Sequence, residues 1–180
     1  MRRWTVVGVV AAAAVLAAGC GGDDSSGAAA ATEWAGDVCT AMTTWKDSVA
    51  GAVESLQSGG ASADALKGAV GDIGDATRTL SDDLKGLGRP GTDAGQEAED
   101  TLTTLADDLA TGADTIESAV ADASGVSEIL AAASTITKTL GTMAQQVSTA
   151  FSGLDDLEGG EELKSAFAEA DSCSSLANDS

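Results

Sequence analysis

From Trp34 onward the large apolar side chains recur in steps of three and four and nowhere alternate one-for-one with polar residues, so the chain is committed to amphipathic helices sharing one core. Five such runs follow one another. The first carries Trp34, Val38, Met42, Trp45, Val49, Val53 and Leu56 and stops near Ser58-Gly59-Gly60. The second carries Leu66, Val70, Ile73, Leu80, Leu84 and Leu87 and stops at Gly88-Arg89-Pro90-Gly91. The third uses Ala98, Leu102, Leu105, Leu109, Ile116 and Val120. Glycine and proline close these runs because neither continues a helix cheaply. The fourth run is the most regular, with Val126, Ile129, Ala133, Ile136, Leu140, Met143, Val147, Ala150 and Leu154 at a mean spacing near 3.5. That period suits the shallow crossing angle of bundles. A short fifth run after Gly159-Gly160 carries Leu163, Phe167, Ala170, Cys173 and Leu176. The expectation is an all-α protein, an up-and-down four-helix bundle over residues 33–180 with a short fifth C-terminal helix.

Aromatics make up only 3% of the chain, so alanine must fill much of the core and let helix axes approach closely. Gly68, Gly71 and Gly74 weaken the second helix by about 1 kcal/mol each relative to alanine. Its first half is expected to fray or to press a glycine face against a neighbour.

The N-terminus reads differently. Met1-Arg2-Arg3 is a short basic start, Trp4 to Ala18 carries no charge, and Leu16-Ala17-Ala18-Gly19-Cys20 ends the run with small residues before a cysteine. Basic tip, apolar stretch and small-residue cut site have the form of an export signal. The stretch is short for a membrane span, which needs about 20 apolar residues. At Cys20 the segment resembles the lipobox of bacterial lipoprotein precursors. Together with the Ala, Gly, Asp and Thr bias, the chain is similar to small lipoproteins of high-GC Gram-positive bacteria. The resemblance implies a diacylglyceryl group on the Cys20 thiol, cleavage that removes 1–19 as signal peptide, and a further acyl chain such as palmitate on the new amine. Two or three chains on one residue hold a protein stably on a membrane. The protein would then sit on the outer face of the cell membrane. Residues 20–32, rich in Gly, Ser, Asp and Ala, are expected to form the lipidated cysteine and a flexible tether.

Charge narrows the partners. The formal net charge is −20 with a pI near 4.1, and loss of Arg2 and Arg3 with the signal would take it to −22. Such a surface is repelled by nucleic acid and by anionic headgroups, so the acyl anchor would hold the membrane and no nucleic acid is expected as partner. With no histidine there is no imidazole base or imidazole metal ligand.

Once Cys20 is acylated, Cys39 and Cys173 remain. Two cysteines in an exported chain pair most simply as one disulfide. Four up-and-down helices return the chain to the end where it began, which would place the fifth run beside the first. The alternative is two separate buried thiols. No nucleophile elbow, Ser-x-x-Lys pair, phosphate-cradling glycine loop or Cys-x-x-Cys occurs. The many carboxylates fall on solvated helix faces, so no enzyme activity and no cofactor are expected. Two features could bind something. Trp34 and Trp45 lie about three turns apart on one face of the first helix, as a ligand or partner face or, more simply, as core filler. Asp155, Asp156, Glu158, Glu161 and Glu162 form the densest acidic group, either a divalent-cation loop or a plain charged connection. The functional expectation is a non-enzymatic interaction or envelope-associated module with an envelope protein as partner. The competing expectation is a small-ligand or divalent-cation binding protein serving a transporter or sensor.

Overall fold

A computed structural model describes residues 23–58, 62–121 and 123–178. Six helices occupy them: α1 (Asp23–Ser58), α2 (Ala63–Gly86), α3 (Gly95–Ala121), α4 (Val126–Asp155), α5 (Glu161–Glu169) and α6 (Asp171–Asn178). No strand occurs among the described residues. The all-α class is therefore the class of this protein.

Side-chain register shows the first four helices running up and down. Trp34 Nε1 donates to the Gly88 carbonyl at 3.1 Å and Trp45 Nε1 donates to Thr77 Oγ1 at 3.0 Å, so α1 and α2 are antiparallel. Arg78 pairs with Glu117, Lys85 with Asp107 at 2.7 Å and Arg89 with Glu99 at 3.7 Å, which sets α2 antiparallel to α3. On α3, Gly112 leaves room for Met143 of α4, whose sulfur would lie 2.9 Å from an added Cβ. The missing side chain brings the two axes together, and Met143 is fully buried in the gap.

The core lies along α2 and α3. Leu66, Val70, Ile73, Leu80 and Leu84 face Leu102, Leu105, Leu109, Ile116 and Val120, with alanines such as Ala69, Ala98, Ala106 and Ala113 buried between them. The buried Thr77 hydroxyl has both functions used: it donates to the Ile73 carbonyl at 2.8 Å and accepts from Trp45. The expected glycine weakness resolves by position. Gly74 is buried under the Glu117 carboxylate of α3, while Gly68 and Gly71 face open space, and the helix is intact from Ala63.

Helix ends follow local chemistry. The Ser62 hydroxyl accepts from the Ala65 amide at 3.1 Å and starts α2. Glu128 reaches back at the start of α4 to accept from the Gly125 amide at 2.6 Å and from the Ser124 amide and hydroxyl at 3.1 Å each. Gly88 has φ +62 in the α2–α3 connection, a conformation open to glycine at little cost.

Three features depart from the sequence expectation. First, α1 starts at Asp23, so residues 23–32 of the expected tether are helix. Ala28 to Ala31 are the best helix formers, and Ala31 is 1% exposed, so packing adds to propensity. Residues 20–22 lie outside the described residues, as does the whole of 1–19. Second, the fifth run is two helices. Ala170 breaks it with ψ 114, and its carbonyl accepts from the Cys173 amide at 3.0 Å to begin α6. Third, the ring of four does not close. α1 packs on α2, α5 and α6, and α4 packs on α3 and α5, but α1 and α4 do not pack closely on each other.

Candidate functional site

The unclosed side of the bundle is where the chemistry gathers. At its upper end α5 sits between α1 and α4, and three aromatic rings interlock there. Trp34 meets Phe167 edge-on at a centroid distance of 5.9 Å, and Phe167 meets Phe151 in the same way at 5.9 Å. α6 then turns back onto α1. Ser172 Oγ donates to the Gly36 carbonyl at 2.8 Å, and Gly36, lacking a side chain, lets it approach. Cys173 reaches Cys39, and the two form a disulfide with Cα atoms 5.0 Å apart, closing 134 residues of chain. The expected pairing is the one found.

Below this wedge, α1 and α4 stay apart and leave a pocket of about 440 Å³. Its walls are Met42 of α1, Val147, Phe151 and Leu154 of α4, Phe167 of α5 and the Cys39–Cys173 disulfide; Ser148 and Asp155 are its polar lining. Val147, Phe151 and Phe167 are only half-buried, so the apolar surface faces water. The regular fourth run explains this. Ile136, Met143, Ala150 and Leu154 are buried, while Ile129, Leu140 and Val147 along the same row are only half-buried, and Val126 and Leu130 are 77% and 66% exposed.

The residues singled out in sequence fall differently. Trp34 is buried and Trp45 half-buried, and both indole N–H groups are used inside the bundle. Trp34 backs the pocket through Phe167, whereas Trp45 faces α2, so the two do not line one ligand surface. Asp155, Asp156, Glu158, Glu161 and Glu162 are all exposed, and among the described residues no three acidic or cysteine side chains stand close enough to hold a metal ion. The 155–162 segment is a solvated connection in which Gly159 turns with φ +75. Cys20 lies outside the described residues.

A larger crevice of about 620 Å³ runs between α3 and α4, past Asp100, Thr104, Asp108, Gln145 and Thr149. Its Thr101 and Thr104 hydroxyls donate to the carbonyls of Glu97 and Asp100, four residues back, as helix-surface threonines ordinarily do. At its floor Leu105 of α3 and Ala150 of α4 are buried. The crevice is the valley between two helix cylinders, whereas the α1–α4 pocket is a missing contact.

The pocket was only partly visible in the sequence. Met42, Val147, Leu154 and Phe167 are members of the periodic runs, but Phe151 stands off the 3.5-residue row of α4, and a large aromatic displaced from its seam was the available signal. No described helix is long and apolar enough to cross a membrane. No protein family, curated protein or solved structure matches the chain.

Proposed function

We propose that this chain is an exported lipoprotein, held on the outer face of the cell membrane through acylated Cys20, whose helical domain is a non-enzymatic binding module facing an envelope partner. The observation that carries the reading is the Cys39–Cys173 disulfide. Disulfides persist in oxidising compartments and are rare in the cytosol, and the basic, apolar and small-residue succession ending at Cys20 gives the route out of it. The two signals are independent, since one depends on how the helices pack and the other on residue order alone. A charge of −20 leaves anionic headgroups unattractive, so attachment depends on acyl chains.

The test is the mass of the protein purified from cells that produce it. The expected species lacks residues 1–19 and carries a diacylglyceryl group on Cys20, and Cys20→Ala releases the protein from the membrane fraction. An unprocessed N-terminus without acyl groups overturns the proposal.

A second reading, small-ligand binding for a transporter or sensor, is favoured by the open apolar pocket between α1 and α4. The cation form of that reading has no such support, because the acidic connection does not converge.

A further inference from the structure

We infer that the α1–α4 pocket is a binding site for a single alkyl chain carried by a neutral or cationic headgroup. This deepens the small-ligand reading and rests on it. Shape is the first argument. The α4 side of the pocket runs from Ala144 to Asp155, three turns of helix or about 16 Å. A volume of about 440 Å³ drawn out over that length is a narrow trench, within the size range of small-molecule sites and suited to an extended chain rather than to a fused ring system.

The lining is the second argument. Met42, Val147, Leu154 and the two phenylalanines offer dispersion contacts and no hydrogen-bond donors. A polar group placed among them would lose its water without compensation. Methionine adapts to chains of different length, and half-buried Phe151 and Phe167 give up exposed area when covered. The headgroup follows from charge. Among the described residues no lysine or arginine lines the pocket, the carboxylate there is Asp155, and the whole chain is strongly negative. A fatty-acid carboxylate would meet like charge on both scales, while an uncharged glycerol ester or an ammonium group would not.

The probe is a monoacylglycerol bearing a diazirine on its alkyl chain, with the corresponding diazirine fatty acid as the anionic comparison. Each is irradiated with the full protein purified from producing cells, and labelled peptides are mapped by mass spectrometry. The ester is expected to label residues 144–155 and 163–173 saturably and to outcompete the acid. Ala144→Phe starts from an exposed helix position on the trench and fills it. It is expected to lower that labelling about tenfold, equivalent to about 1.4 kcal/mol of binding, with an unchanged melting temperature showing that the bundle still forms. Asp155→Lys is expected to reverse the preference toward the acid. Label spread evenly over all helices and indifferent to Ala144→Phe overturns the site, and preference of the native protein for the acid overturns the headgroup assignment. If Ala144→Phe abolishes a cell-surface crosslink to a protein while ester labelling stays diffuse, the occupant is a partner's side chain and the alkyl assignment fails. The intact mass of the same sample reports separately on Cys20, so loss of the lipoprotein reading is distinguishable from loss of this one.

Discussion

The α2–α3 seam and the α1–α4 side of this bundle are built on opposite plans. Between α2 and α3, consecutive in the chain and joined by a short connection, two leucine-rich stripes meet along their whole length and three ion pairs lace the rim. Between α1 and α4, separated by two helices, there is no matching stripe contact; a ring cluster, a docked α6 and a covalent bond hold one end, and an apolar pocket lies beneath them. Neighbouring helices can close by periodicity alone because their loop costs little entropy. Distant ones here need a staple.

That contrast is most sharply broken at the staple. Replacing Cys39 and Cys173 by serine together releases a 134-residue loop and is expected to lower unfolding free energy by about 5 kcal/mol in the chain-entropy account, read from urea denaturation. Labelling by hydrogen exchange should rise first in α6 and the adjoining part of α1, while α2 and α3 keep their protection until global unfolding.

Truncation on the two sides gives the next effect. Leu109→Ala empties a fully buried position on the closed seam and is expected to cost about 3 kcal/mol, as buried Leu→Ala changes commonly do. Val147→Ala removes a half-buried side chain on the open side and is expected to cost under about 1 kcal/mol. Equal losses in denaturant titrations would mean that the open side is packed in solution and the comparison is wrong.

The smallest effect concerns a helix start and pH. Hydrogen bonds from the Gly125 and Ser124 amides and the Ser124 hydroxyl hold the Glu128 carboxyl below its ordinary value. Its ionised form is therefore favoured in the folded state. The stabilisation is present above the ordinary glutamate range and is lost as pH falls through the depressed folded-state value. Melting curves for Glu128→Gln should lie slightly below those of the native protein at neutral pH and converge with them in acid.

Much of this was legible in the sequence, and for identifiable reasons. Three of the four long helices, α1, α2 and α4, end at or shortly before Ser58-Gly59-Gly60, Gly88-Arg89-Pro90 and Gly159-Gly160, because backbone chemistry at those points is local. The Cys39–Cys173 pair was legible because an even number of up-and-down helices fixes which ends coincide. The helical start at Asp23 was hidden, since an alanine run such as 28–31 is helix or coil according to what it packs on, and Ala31 finds a neighbour. The break at Ala170 was hidden too. No glycine or proline marks it, and the apolar row passes through it unbroken.

The amino-acid order determined the helical class, the four long segments and the cysteines available to join, because spacing, propensity and chain breaks act over a turn or two. Only the tertiary structure decided that α1 and α4 stand apart, that Phe151 of α4 meets Phe167 of α5 edge-on beside the gap, and that Trp34 and Trp45 serve different neighbours. A periodic row states that a face is apolar but not what covers it. That depends on helix axes set by every other contact, here by Gly112 drawing α4 onto α3 and by the disulfide drawing α6 onto α1.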